Sequence, residues 1–270
     1  MSAAVKVMGI LNVTPDSFSD GGRYLDPLDA LIHARRLIAE GADILDIGAE
    51  STRPGAEPVD EAEEIARAVP LIAAIRAESD VAISIDTMKP GVARAAVAAG
   101  ATLWNDVAAL RFSPEASAVA ADLGCGVVLM HMQGEPRTMQ SAPQYGDVVA
   151  EVCDFLGGRA QAAMAAGVAR EKIWLDPGIG FGKRLEHNLA LLAHMDAVVA
   201  LGFPVLLGVS RKSFITALDP VGGAVLDGRL AGSLAAALRG VDAGVAALRV
   251  HDVAETVQAL KVWGAVAQAR

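Results

Sequence analysis

Residues 43–86 read DILDIGAESTRPGAEPVDEAEEIARAVPLIAAIRAESDVAISID. Two short apolar runs, DILDIGAE and VAISID, flank a segment, EAEEIARAVPLIAAIRAE, whose apolar residues recur at helical spacing. A continuous apolar run needs burial on both faces, and an amphipathic helix between two such runs reads as parallel strands joined by a crossover. The alternation extends in both directions. VKVMGILNV, TLWNDV, GVVLMH, KIWLDP, PVLLGVS and AALRVH bring the runs to about eight, with Ala-rich helical segments such as DPLDALIHARRLIAE between them. Eight βα units in 270 residues predict a (β/α)8 TIM barrel, with residues 1–270 as one domain. The rival is an open, doubly wound sheet.

The ends of the runs decide between the two. Polar residues collect on their C-terminal sides: Asn12; Glu50, Ser51, Thr52 and Arg53; Asp86; Asn105 and Asp106; His131; Asp176; Ser210, Arg211 and Lys212; Arg249 and His251. A closed barrel gathers such ends around one mouth, where barrel active sites lie. An open sheet would spread them along an edge.

Composition narrows the function. The chain is 53% hydrophobic but only 4% aromatic, so Ala, Val, Leu and Ile must build the core. A net charge of -9 argues against a nucleic-acid or anionic-membrane surface, yet leaves room for a local basic pocket. Cys125 and Cys153 form no disulfide framework and no metal-ligand spacing, and are expected to be reduced in a cytoplasmic protein. MSAAVKVMGI runs straight into a strand without a signal-peptide pattern. AVVALGFPVLLGVS is too short for a membrane span and is broken by Gly202 and Pro204.

Asp86 alone could cap a helix, and Asp176 alone could form a turn before Pro177. Two carboxylates converging with Asn105 read instead as a ligand site. A carboxylate accepts two parallel N–H donors, which suits a guanidine-like or 2-aminopyrimidine edge, and an amide supplies both a donor and an acceptor. GIGFGK at 178–183 is not a phosphate loop: Lys183 comes one residue early and Arg184 stands where Ser or Thr should. Its glycines are expected to let the chain turn beneath a flat ligand, with Phe181 lining or stacking. Arg53, Lys212, Arg249 and His251 form a set of cations at one mouth, suited to an anion. His33, His187 and His194 fall in helices and read as surface or packing residues. Without HxH or HExxH, an all-protein zinc site is not expected, whereas Mg2+ on Asn12 and substrate phosphates remains open. GVSRKS is not GxSxG, and no histidine is patterned as the partner of Ser210, so covalent catalysis is disfavoured.

Longer motifs then come into play. GILNVTPDSFSDGG, GAESTRPGA, SIDTMKP, NDV, LMHMQGEPRTMQ, LDPGIGFGK, GVSRKS and RVHD, in this order, resemble the dihydropteroate synthase family along essentially the whole chain. The resemblance implies a transferase joining p-aminobenzoate to 6-hydroxymethyl-7,8-dihydropterin pyrophosphate, with sulfonamides competing for the p-aminobenzoate site. It implies that Asp86, Asn105, Asp176 and Lys212 hold the pterin, lined by Met130 and Gly208. Asn12, Arg249 and His251 would hold pyrophosphate, with Mg2+ beside Asn12. Thr52, Arg53, Pro54, Phe181 and Ser213 would surround p-aminobenzoate or the anion, and Phe18 would close that pocket against Pro54. Asp86, Asp176, Lys212, Arg249 and His251 would carry the chemistry, by positioning and electrostatics. The loop bearing Thr14, Asp16, Ser17, Phe18 and Asp20 is expected to close over the mouth once the anion binds. A homodimer is implied by the family alone. Thr216 departs from a common Gly and puts a local turn in question, and residues 219–232 are uninformative. Two other readings are a pterin-binding methyltransferase barrel and a non-catalytic pterin-binding module. The first would not need Arg53 or the Thr14–Phe18 loop, and the second would not need paired cations.

Overall fold

The computed structural model describes residues 5–13, 27–50, 59–134 and 138–269. Eight strands appear in chain order: β1 (Lys6–Asn12), β2 (Ile44–Gly48), β3 (Ala82–Asp86), β4 (Leu103–Asp106), β5 (Gly126–Met130), β6 (Ile173–Asp176), β7 (Leu206–Gly208) and β8 (Ala247–Val250). The helices are α1 (Pro27–Glu40), α2 (Glu61–Glu78), α3 (Pro90–Ala98), α4 (Ala116–Leu123), α5 (Val148–Ala165), α6 (Leu185–Ala193), α7 (Met195–Val199), α8 (Ser213–Leu218), α9 (Leu230–Ala243) and α10 (Val253–Gln268).

Every strand pairing is parallel, in the order β6-β5-β4-β3-β2-β1-β8-β7. In an open sheet β6 and β7 would be free edges. Here Leu175 bridges Val205 and its N–H donates to the Pro204 carbonyl at 2.9 Å, so the two edges meet. The expected (β/α)8 barrel is the fold, and the open sheet is excluded.

Local chemistry starts and stops the helices. Asp60 caps α2 by accepting the Glu63 N–H at 2.8 Å, and three glutamates in the first turn favour the helix dipole. Arg76 in its last turn donates to the carbonyls of Ser79, Val81 and Gly100, tying the helix end to the approach into β3. Leu71, Ile72 and Ile75 are buried against the outward-facing Leu45, Ile47, Ile83 and Ile85 of the strands. None of the described helices is long and apolar enough to cross a membrane.

Alternation along each strand sends every second residue inward. The first inward layer is apolar: Met8, Ile44, Leu103, Val128, Leu206 and Ala247 pack together, with Ala82 and Trp174 against them. This plug closes the N-terminal end of the barrel interior. Cys125 is buried and Cys153 half-buried, and both are free thiols.

Candidate active site

Two residues further along the same inward rows, the side chains become polar. Asp46, Ser84, Asn105, Asp176 and Arg249 follow Ile44, Ala82, Leu103, Trp174 and Ala247. Strand register sets the expected site residues side by side. Asn12 pairs with Gly48, Gly48 with Asp86, and Asp86 with Asn105; Met130 pairs with Asp176, and Gly208 with Arg249. A Cβ on Gly48 would come within 3.2 Å of Asn12 Oδ1, so glycine keeps the space between Asn12 and Asp86 open.

Arg249 lies across the barrel mouth. Its Nε donates to Asp46 Oδ2 at 2.6 Å and its Nη2 to Asp86 Oδ2 at 2.7 Å. Asn105 Nδ2 lies 3.3 Å from the same Asp46 oxygen. Burial opposes the charge on Arg249, but Asp46 and Asp86 outweigh it and hold the guanidinium protonated well above its ordinary range. The sequence reading assigned Arg249 to the anion alone. The structure also makes it the cation of the carboxylate floor. Burial pushes the Asp86 carboxyl up to about 7, against the pull of Arg249 and with help from Asp46.

Asp46 is the residue that attention to strand ends passes over. It is wholly buried, two positions before the end of β2. The available signal was parity: a charge in an apolar strand, in the same phase as Ile44 and Gly48.

The turn after β6 is built on two buried groups. Asp176 Oδ1 accepts the Gly178 N–H at 2.7 Å, so the carboxylate forms a turn and still faces the mouth. Lys183 is almost fully buried, and its Nζ donates to the carbonyls of Gly178 and Phe181 and lies next to His131 Nδ1, each at 2.9 Å. Gly178 and Gly182 have φ of 66° and 59°. A Cβ at either would collide with the backbone at His131 or Gln133. The close approach these glycines permit is therefore to the loop after β5. Burial lowers the Lys183 amine to about 7 and the His131 imidazole to about 3.

Lys212 donates to the Ile179 carbonyl at 2.6 Å, and its Nζ sits 4.2 Å from the centre of the Phe181 ring. Phe181 packs on Val107, Met130, Met132 and Met139, forming an apolar wall beside the polar floor. Burial lowers the Lys212 amine to about 8, with Asp176 opposing.

At the ends of β7 and β8, Ser210 Oγ lies 3.0 Å from His251 Nδ1. No local spacing signals that pairing, because the partners are 41 residues apart. It makes no nucleophile–base–acid triad, since the neighbouring Asp252 is engaged by Arg211 at 2.5 and 3.1 Å. Ser213 opens α8 and is exposed. Thr216 does not disturb the turn: it sits inside α8 and donates from Oγ1 to the Gly223 carbonyl at 2.8 Å.

A second buried network lies behind the mouth. Lys89 Nζ bridges Glu50 at 2.6 Å and Glu64 at 2.7 Å, and Glu50 Oε1 also accepts the Val59 N–H. Glu50 thus ties together the two ends of the segment that carries Thr52, Arg53 and Pro54. Those three residues lie outside the described residues, as do Thr14, Asp16, Ser17, Phe18 and Asp20 with the expected loop closure. Among the described residues, no three His, Cys, Asp or Glu side chains are grouped to hold a metal.

The fold and the mouth define a pterin-binding enzyme: residues 8–251 match the family described as pterin binding enzyme. The Escherichia coli K12 dihydropteroate synthase is 48% identical over 264 residues, covering 98% of this chain and 92% of that protein. The Xanthomonas albilineans dihydropteroate synthase solved with 4-aminobenzoic acid superposes with a TM-score of 0.91 at 51% identity, over 98% of this chain and 93% of that one. The same organism's enzyme in complex with 7,8-dihydropteroate gives 0.87 and 48%, over 98% and 94%. The chain belongs to the dihydropteroate synthase family, whose members are transferases.

Proposed function

We propose that this chain joins 6-hydroxymethyl-7,8-dihydropterin pyrophosphate to p-aminobenzoate, giving 7,8-dihydropteroate and pyrophosphate. The observation that carries this is the convergence at one mouth of Asp86 and its register partner Asn105, of Asp176 beside Met130, and of Lys212, whose Nζ reaches the turn after β6, in a barrel matching one seen with 7,8-dihydropteroate. Asp86 and Asp176 offer acceptors to the aminopyrimidine edge, Asn105 offers its amide, and Lys212 offers an ammonium. Met130 and Gly208 give the ring a close-fitting wall.

As the C–O bond to pyrophosphate breaks, positive charge develops on the pterin methylene and negative charge on the leaving group. The carboxylates of Asp86 and Asp176 oppose the first, and Arg249 and His251 face the second. The arylamine of p-aminobenzoate then forms the C–N bond and releases one proton. Asn12, Phe18, Thr52, Arg53, Pro54, Phe181 and Ser213 complete the reading as the surroundings of p-aminobenzoate and the anion.

Asn12 fits a magnesium role: it is a half-buried, neutral oxygen donor at the end of β1, and magnesium takes one or two protein oxygens plus substrate phosphates. Bound there, the ion would neutralise pyrophosphate charge. A homodimer fits the exposed Leu218 at the end of α8 and the exposed Val221, Val225 and Leu226 between α8 and α9, and we place the protein in the cytoplasm. Sedimentation at several concentrations checks the dimer.

The test of the reaction is incubation with both substrates and Mg2+, following 7,8-dihydropteroate and pyrophosphate together. The reading holds if they appear in equal amounts and pyrophosphate release depends on p-aminobenzoate. It falls if neither product forms.

A further inference from the structure

Ser210 makes two contacts with one residue. Its Oγ accepts the backbone N–H of His251 at 3.1 Å and lies 3.0 Å from Nδ1 of the same residue. A backbone N–H only donates, so the serine oxygen is the acceptor in the first contact. That leaves the hydroxyl proton for the second, with the Nδ1 lone pair as acceptor. No other acceptor for this proton lies in range among the described residues. The reverse arrangement, Nδ1–H donating to Oγ, would load two donors on one oxygen and leave the hydroxyl of a buried serine unpaired.

The tautomer follows from this network. If Nδ1 accepts, the neutral ring carries its proton on Nε2. A doubly protonated ring is disfavoured independently. Burial, with Arg249 and Arg211 adding positive charge nearby, lowers the imidazole to about 3. Asp252 pulls the other way but is held by two bonds from Arg211, and Lys212 adds to the positive side. Nε2 has no partner among the described residues and is not among the sealed, unpaired atoms.

We propose that Ser210 is a positioning residue that holds His251 as the neutral Nε2–H tautomer, a fixed hydrogen-bond donor to a phosphate-type oxyanion and not a base. This rests on the reading that pyrophosphate leaves at this mouth. It adds that the histidine cannot take the arylamine proton, because its only lone pair is engaged by Ser210. It also adds that the donor is present before the anion arrives, so no proton has to be fetched as charge develops.

The test reads the ring directly. The full chain labelled with 15N-histidine carries five histidines, and His251→Gln identifies the signal. The expected pattern between pH 6 and 8 is a pyrrole-like Nε2 bearing hydrogen and a pyridine-like Nδ1 without it. Ser210→Ala should give both nitrogens intermediate shifts, as two tautomers exchange. It should also weaken inorganic pyrophosphate by about threefold to tenfold, and Ser210→Thr should restore both. A wild-type ring with its proton on Nδ1 overturns the proposal, as does a Ser210→Ala variant with an unchanged tautomer. The spectrum needs no substrate. Turnover can therefore fail while the tautomer result stands, which would sink the reaction and not the role of Ser210.

Discussion

The lower and upper halves of the barrel interior come from the same strands and the same alternation, yet they do opposite work. Below, Met8, Ile44, Leu103, Val128, Leu206 and Ala247 exclude water and need nothing but shape. Two residues up, Asp46, Asn105 and Arg249 follow Ile44, Leu103 and Ala247, and Asp176 follows Trp174. The apolar layer gives the polar one a dry base, and a dry base strengthens every charge above it. The same dryness makes any unpaired charge there costly. The upper layer is therefore built to be compensated even when empty, with Arg249 shared between Asp46 and Asp86.

That sharing supplies the largest expected effect. Arg249→Met would leave Asp46 buried without its cation, and breaking a buried pair from one side costs about 3–5 kcal/mol of folding stability. Adding Asp46→Asn should restore most of that stability while turnover stays lost, because the pyrophosphate cation is still missing. Denaturant unfolding of the single and double variants checks it. A single variant as stable as the wild type would mean that Asp46 is not a charged partner.

The two layers should also separate cleanly. Met8→Ala removes a wholly buried side chain from the plug and should cost about 2–5 kcal/mol, leaving pterin affinity of the folded fraction nearly unchanged. Asp176→Asn should do the reverse. Stability should change little, because the amide oxygen can still accept the Gly178 N–H. Pterin affinity should fall about tenfold or more, since a donor replaces an acceptor and charge-assisted bonds contribute roughly 1.5–3 kcal/mol. Calorimetric titration with a phosphate-free pterin, alongside unfolding, measures both. If Met8→Ala loses affinity as strongly as Asp176→Asn, the layers are not independent.

Most of this division was legible in the sequence, and the exceptions have a common cause. The strand ends Asn12, Asp86, Asn105, Asp176 and Arg249 stand out because each follows an apolar run. Asp46 does not stand out, because it lies inside its run and only the inward phase reveals it. Ser210 with His251, and Glu50 with Lys89 and Glu64, join residues from different βα units. Such pairs depend on how far each loop turns, which no local spacing encodes. Lys183 was visible as a failed phosphate motif, but its burial on three carbonyls and His131 follows from the glycine turn folding back on β5.

The smallest expected effect is a matter of pH, and it tests how dry the upper layer is. Burial raises the Asp86 carboxyl to about 7, so near neutrality the empty enzyme holds a mixture of acid and carboxylate. Burial raises Asp176 as well. The pterin edge presents N–H donors, which the carboxylate accepts and the protonated acid cannot fully match. Binding therefore selects the ionised form. Affinity should be highest above pH 7 and fall below it, by up to about 1.4 kcal/mol, or tenfold, per pH unit. For folding of the empty enzyme the sign is opposite. A carboxyl raised in the fold binds its proton more tightly there than in the unfolded chain, so its contribution to stability is lost as pH rises toward 7. A phosphate-free pterin keeps the titration of pyrophosphate out of the measurement. At pH 6, calorimetry in buffers of different ionisation heat should show close to one proton leaving the protein per pterin bound, and at pH 8 almost none. Flat affinity from pH 6 to 8 with no proton released would mean that Asp86 is already ionised in the empty site. Water, and not the apolar layer beneath, would then set its charge.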